Sequence, residues 1–442
     1  MNILKKIFSI KISFSNYLLT IFILLFLSIL FAAAVNHSKG MGPGGRFENI
    51  EKFVLILAKL PFDTIDFLTN KDFDVYFHKD KNIGFHYYAD EKSILNGYIL
   101  LPIYDLEKNK AKVELYDINK KETIHTWIAN IDEILKLSKI DRNINNLERD
   151  QNQKRYIYRH PYLLKNGDLI FAAHNTPLTR IDKCSKLKWI SDDFFHHSIE
   201  SDNNGFIWTH LSTVGGEFKS FHDEYDDDLI AKVNIETGEI VYKKSITNIF
   251  IENDLKHLFT SAYVGKDPLH SNDIQPVLSN SDYWEKGDLF ISLRHISTAF
   301  LYRPSENKVI WFKQGPWRYN HDIDIIDEKT IAIFNNNNSL GNKNDPLQSN
   351  VLFYNFESNK VYSPFEKLFS KTNFSTGASG LFTVIGKNEI IAEETVRSRI
   401  IMGNIDGELK WEFIWNSHLN WSRYLENEGY DSTADMLRNT KC

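Results

Sequence analysis

The chain has 442 residues, 42% hydrophobic and 25% charged, with a formal net charge of −6 and no basic block. That is ordinary globular composition, long enough for one large β domain or two to three smaller ones, and it argues against nucleic acid as a partner. An aromatic content of 14% favours sheet, where rings fit a pleated, half-buried surface.

Residues 17 to 35, YLLTIFILLFLSILFAAAV, carry no charge over 19 positions. At about 1.5 Å per residue such a helix nearly spans a hydrocarbon core of ~30 Å. Lys5, Lys6 and Lys11 precede it, which keeps the N-terminus cytoplasmic and sends the rest outward. Residues 1–36 are therefore expected to be a cytoplasmic tip and transmembrane anchor. A cleaved signal peptide ending near Ala32 and Ala34 is the alternative. Either reading puts the main domain on the periplasmic or extracellular side. Residues 37–82 read as a Gly-rich linker followed by a short helical segment.

From residue 83 to 415 the pattern is strand, polar turn, strand. It recurs as VELYDINKKETIHTW, LTRIDKCSKLKWI, LIAKVNIETGEIVYKK, FLYRPSENKVIWFK, LFYNFESNKVYSPF and IIMGNIDGELKWEF. Anchored on Asp117, Asp182, Asn234, Arg303, Asn355 and Asn404, the intervals are 65, 52, 69, 52 and 49 residues. Ahead of most lies another hairpin, with turns such as Asn166-Gly167 and Lys286-Gly287, where glycine accepts positive φ. Two hairpins per unit make a four-stranded sheet, and six such sheets make an all-β, six-bladed β-propeller. Residues 245 to 266 read as partly helical. The tail, 416–442, is expected to pack on the propeller and help close the ring. Cys184 and Cys442 lie far apart in no C-x-x-C pattern, which excludes zinc ribbons and redox motifs; two unpaired thiols are expected, with a disulfide as the alternative.

In a propeller the innermost strands line a central channel. His160, His197, His270 and His321 each precede the first hairpin of a unit, so they are expected to converge. His160 carries the weakest functional signal because Pro161 follows it. His196, beside His197, is an exchangeable candidate. Arg294 falls in the strand LFISLRH with no acid within four residues, so either a bound anion or a carboxylate of a neighbouring blade must satisfy it.

The stretches DPLHSNDI, GDLFISLRHISTAFLYRPSENKVIWFKQG and NHDIDI resemble the bacterial arylsulfotransferase family, most specifically over residues 267 to 338. The resemblance implies a six-bladed propeller that transfers a sulfuryl group without a nucleotide donor or other cofactor. By it, His321 is the nucleophile and becomes transiently sulfated, while His270 is acid and base at the phenolic oxygen. Arg294, Asn272 and His197 hold the sulfuryl oxygens, and Thr395 is a looser match to a further polar contact. The implied partners are an aryl sulfate donor and a phenolic acceptor. The close cysteine pair of some members is not present, and the N-terminal β domain of the best-known members is expected to be absent or much reduced, since residues 47 to 82 read as helical. With water as acceptor the same site is a sulfatase. A metal-dependent lyase or hydrolase and a non-catalytic, membrane-tethered binding propeller are the other classes; Arg294 argues against a cation, and no metal is expected.

Overall fold

The computed structural model describes residues 14–38, 83–89, 96–141, 151–213, 218, 220–222, 225–260, 265–338 and 348–442. The chain divides into two compact units, 1–74 and 75–442. In the first, helix α1 (Phe14–Ser38) is 25 residues long. Among the described residues no helix is long and apolar enough to cross a membrane. The transmembrane helix expected at 17–35 is thus not borne out. The helical segment expected before residue 82 lies outside the described residues.

The second unit is a β-propeller whose strands follow in chain order. The first four are β1 (Gly84–Tyr87), β2 (Tyr98–Asp105), β3 (Lys110–Asp117) and β4 (Glu122–Trp127). Then come β5 (Arg159–Leu163), β6 (Leu169–Ala172), β7 (Thr176–Ile181), β8 (Leu187–Ser201), β9 (Phe206–Thr213), β10 (Asp227–Asn234) and β11 (Ile240–Ser245). After helices α2 (Ile131–Leu137), α3 (Ile246–Glu252) and α4 (His257–Thr260) have intervened, β12 (Ser271–Pro276), β13 (Leu289–Leu293), β14 (Thr298–Arg303) and β15 (Lys308–Gln314) form the next set. It is followed by β16 (Ile323–Asp327), β17 (Thr330–Asn335), β18 (Asn350–Asn355) and β19 (Lys360–Tyr362). Helix α5 (Glu366–Lys371) leads to β20 (Leu381–Ile385), β21 (Glu389–Glu394), β22 (Arg399–Asn404) and β23 (Leu409–Ile414). The chain ends with β24 (Arg423–Leu425) and helix α6 (Asn427–Arg438).

Six separate sheets were expected; the described residues form five. The difference lies in β8, a strand of 15 residues. Its first part pairs with β7, from Ile181↔Leu187 to Thr176↔Phe195. Its second part pairs with β9, from Phe195↔Leu211 to Ser201↔Ile207. One strand therefore closes one four-stranded set and opens the next, giving a seven-stranded sheet. The two halves pack on each other: Ile170, Leu178 and Ala172 share a core with Ile199, Ile207, Leu211 and Ala231.

The core is a series of apolar layers between neighbouring sheets. Trp208 and Ile230 pack with Ile274 and Phe300; Phe290 and Leu301 pack with Ile323 and Ile333; Phe334 and Phe353 pack with Phe382 and Ile401. The last sheet then meets the first, with Trp411 and Met402 against Ile99 and Leu101. Closure is also made by hydrogen bonding. C-terminal β24 adds to β2, and N-terminal β1 adds to β23. Each end of the propeller chain thus covers an edge strand that would otherwise expose unpaired backbone groups. Within the tail, the segment beside β2 is the strand β24. Helix α6 then buries Ala434 and Leu437 against the core under β2–β7. The partly helical reading of 245–266 holds for α3 and α4, which bury Ile246, Ile249, Phe250 and Phe259.

Cys184 and Cys442 form a disulfide with Cα atoms 5.3 Å apart, not the two free thiols expected. The pairing spans 258 residues, so no local pattern announces it. It exists because α6, held at the β5–β6 turn by Thr433 donating to the carbonyl of Lys165 at 2.9 Å, carries the C-terminus on to Cys184 in the β7–β8 turn. A bond closing so long a loop stabilises mainly by restricting the unfolded chain, by roughly 2–5 kcal/mol. Cys442→Ser is therefore expected to lower the midpoint of thermal unfolding, with the same loss on reduction of the native protein; an unchanged midpoint in both would show that the bridge adds nothing.

Candidate active site

The inner edge of the propeller is shaped by residues in the left-handed backbone region. His160, His197 and His270 have φ of 42°, 58° and 53°. His160 and His197 sit inside a break in strand register, and His270 lies two residues before one. The β5–β6 ladder shifts between Arg159 and Tyr162, β8–β9 between His196 and Ile199, and β12–β13 between Ser271 and Asp273. Such bulges turn a side chain out of its normal alternation. In the next sheet the left-handed residue is Tyr319, at φ 55°, and His321 follows two positions later. The expectation that all four histidines occupy one repeat position is corrected on this point. His321 corresponds to Asn272, and Tyr319 to His270.

The rings nonetheless gather. His197 lies 5.2 Å from His270 between ring centroids. The indole of Trp421, at φ 58° just before β24, lies 5.4 Å from His160, 6.0 Å from His197 and 6.4 Å from His321. Trp421 is fully buried and its Nε1 has no hydrogen-bond partner. His160 is thus part of the central group, facing Trp421, with Nδ1 3.5 Å from Glu200.

The partners of each ring set its chemistry. Asn336 donates through Nδ2 to the carbonyls of Thr376 and Ser379, at 2.9 and 2.7 Å, so its Oδ1 must accept from His321 Nδ1–H. That leaves His321 Nε2 as the lone-pair nitrogen, and the backbone N–H of Ser379 donates to it at 2.9 Å. Burial, then the charge of Arg294, holds His321 well below the usual imidazole range; it is neutral. His270 Nδ1 bonds the carboxylate of Asp267. His197 Nδ1 meets His196 Nδ1, and His196 Nε2 lies 3.4 Å from Asp228. His196 is therefore behind His197, stacked on His210 at 5.5 Å, and does not replace it. Burial, with Arg159 and the surrounding histidines, pushes His197 well down as well.

Arg294 lies one residue beyond β13, in the turn to β14, rather than inside the strand. Its backbone N–H donates to the His270 carbonyl at 3.0 Å. Its Nη1 donates to His295 Nε2 at 2.7 Å, and its guanidinium lies 4.8 Å from the centroid of the Tyr319 ring. Among the described residues it makes no ion pair, and its Nε is buried without a partner. That favours the anion over the neighbouring carboxylate. Asn272 donates to the carbonyl of Asn320 at 2.8 Å, with its Oδ1 unpartnered. Thr395 does not join the cluster: its hydroxyl donates to Glu393 at 2.6 Å, and Glu393 in turn accepts from the backbone of Trp421 and Ser422.

Asp267, Asn336, His295 and Trp421 went unnoticed in the sequence. Asp267 sits three residues before His270, the one local signal that was available. Asp267, His270 and His295 each offer a ligand atom within 4.8 Å of the others and could hold a metal ion, although no metal was expected. The geometry disfavours it: His295 already donates from Nδ1 to the Asp267 carbonyl at 2.6 Å, and a guanidinium touches its other nitrogen.

Beneath the histidines the inner strands carry acids that link neighbouring sheets. Asp273 accepts from Ile323 N at 3.0 Å and Asp322 from Phe382 N at 2.8 Å, while the Ser198 hydroxyl accepts from Ile274 N at 3.2 Å. Burial first, then the neighbouring Glu200, pushes Asp273 up to about 7; Asp322 and Asp324 are raised for like reasons. Between its ordinary value near 3.8 and about 7, the folded chain holds a proton on Asp273 that the unfolded chain does not. Stability contributed by that proton is present at low pH and lost as pH rises through this window. Asp273→Asn keeps the acceptor and removes the loss. It is expected to gain on wild type between pH 4 and 7, by on the order of 2 kcal/mol, read as the difference in unfolding midpoints. A pH-independent difference would put the proton elsewhere.

No curated relative matches the chain. Among solved structures it is similar to a Bacteroides caccae protein of unknown function, at 10% identity and TM-score 0.47, over 75% of this chain and 99% of that one. It is also similar to a chain of a nidogen/laminin complex, at 7% identity and TM-score 0.42, over 74% and 98%. A third is the WD40 β-propeller domain of Doa1, at 9% identity and TM-score 0.38, over 74% and 90%. The family match is more specific: the model for arylsulfotransferase (ASST) covers residues 160–416, from His160 past the last sheet, and the chain belongs to that family.

Proposed function

We propose that this chain moves a sulfuryl group from an aryl sulfate to a phenolic acceptor in two steps through His321. The observation that carries the proposal is the difference in partners among the three clustered histidines. His321 is held by a neutral amide and kept neutral, which suits a nucleophile. His270 is held by the Asp267 carboxylate, which can balance a proton gained at Nε2. Arg294, without an ion pair, can hold the charge spread over the sulfuryl oxygens, with His197 and Asn272 alongside.

In the first step the Nε2 lone pair of His321 attacks sulfur. The N–S bond forms, the S–O bond to the aryl group breaks, and the departing phenolate takes the proton from His270 Nε2. In the second step an acceptor phenol returns a proton to His270, its oxygen attacks sulfur, and the N–S bond breaks. The Ser379 N–H on His321 Nε2 must release before attack. Thr395 would act only through Glu393 and Trp421.

On architecture, we count six blades by treating the two halves of the seven-stranded sheet as blades that share β8. On location, the disulfide favours an oxidising compartment, periplasmic or extracellular.

Wild type incubated with p-nitrophenyl sulfate is expected to gain ~80 Da on His321, by the atomic composition of a sulfuryl group, and to release nitrophenol faster when phenol is added. His321→Ala should lose both. Asp267→Asn should lower kcat by about 10²-fold or more and shift the pH–rate profile, because the tautomer of His270 is no longer fixed. Chelator treatment should leave the rate unchanged. Nitrophenol release by His321→Ala at the wild-type rate, or activity restored only by added metal, would overturn the reading; release that added phenol does not accelerate would make it a hydrolase.

A further inference from the structure

The cluster contains a second cation that the proposed chemistry does not use. Arg159 opens β5, immediately before His160, whose ring packs on Trp421. Its residue surface is only partly covered, yet its Nε is enclosed and has no hydrogen-bond partner. Among the described residues it forms no ion pair, and burial alone pulls it down to about 10, with no carboxylate near enough to offset that. An uncompensated, desolvated guanidinium is costly unless an anion reaches it. The contrast with Arg423 is direct: also on an inner strand, that guanidinium bonds Glu200 and two backbone carbonyls.

The two unpaired arginines act on different sides of the histidine pair. The charge of Arg294 bears on His321 and His295. The charge of Arg159 bears on His174 and His197. His174 lies 6.2 Å from His197, and His197 lies 5.2 Å from His270, so the rings form a continuous row between the two cations.

We propose that Arg159 forms a second anion subsite, taking a second acidic group on an aromatic substrate whose sulfuryl or phenolic end lies between His270 and Arg294. The class is thus an aryl sulfate or phenol that also bears a sulfonate, carboxylate or phosphate. This rests on the reading of the His270–Arg294 side as the sulfuryl site, but its test needs no turnover. Inert sulfonates, which cannot give up their group, probe both positions.

By calorimetry, wild type is expected to bind benzene-1,4-disulfonate or its 1,3 isomer at least tenfold tighter than benzenesulfonate. Arg159→Gln should erase that advantage and leave benzenesulfonate affinity unchanged. Arg294→Gln should weaken both. If Arg159→Gln does not fold, Arg159→Lys, which keeps a charge but loses the planar fork, should retain part of the advantage. Equal affinity for mono- and disulfonates in wild type, or an advantage that survives in Arg159→Gln, overturns the subsite alone. Absence of binding by every sulfonate overturns the sulfuryl site as well.

Discussion

The left-handed residue at the inner edge of each sheet is the constraint on which the site depends. A strand running straight into its ladder alternates side chains between faces. It would send consecutive residues into the two apolar layers and leave the channel to backbone. The bulges at His160, His197 and Asn272 break that alternation, and the left-handed backbone at Tyr319, Ser379 and Trp421 does the same before β16, β20 and β24. Non-glycine residues accept this conformation at a cost of about 1–2 kcal/mol each. The ring of sheets repays it, because four of the six kinks are pinned from next door. Ser271 N is held by Asp228, Ile323 N by Asp273, Phe382 N by Asp322, and Trp421 N by Glu393.

Those same pins explain why so many ionisable groups are buried without destabilising the fold outright. A carboxylate accepting backbone N–H groups across a sheet boundary has a structural task that holds whether or not it is charged. Asp273 and Asp322 can carry protons and still accept, which is how a channel lined with acids tolerates burial. The histidines above them solve the opposite problem by losing their charge. The cost of both is a stability that depends on pH with opposing signs. The carboxyls favour folding as pH falls, and the histidines oppose it.

How much of this the sequence carried follows from the range of each signal. The hairpins were legible, because turn chemistry and strand alternation are local; β3–β4, β10–β11, β14–β15 and β22–β23 match the repeats read from the chain. A repeat turns a local position into a shared location, which is why His197 and His270 were expected to converge, and their rings lie 5.2 Å apart. The junction within β8 was not, since a strand that changes partners without a turn leaves no punctuation. The disulfide, Asn336 and Trp421 reach the rest of the molecule across tens to hundreds of residues. No spacing rule encodes such contacts. His321 was found by its place before a hairpin, yet its position is offset by two from its neighbours, which only the backbone reveals.

That offset is informative about chemistry. In the family reading, one histidine must stay neutral to attack while others stabilise negative charge. Identical positions in a repeat would give identical surroundings, and the roles would have to be separated by something else. Moving His321 two residues along takes it out of the row formed by His197 and His270. It can then be served by Asn336, a neutral amide from the end of β17, while His270 is backed by the carboxylate of Asp267. His321 beside its amide is kept neutral by burial and the charge of Arg294, while the carboxylate beside His270 offers a counter-charge that His321 lacks. The propeller thus converts a small break in its own symmetry into three histidines with two different electrostatic characters.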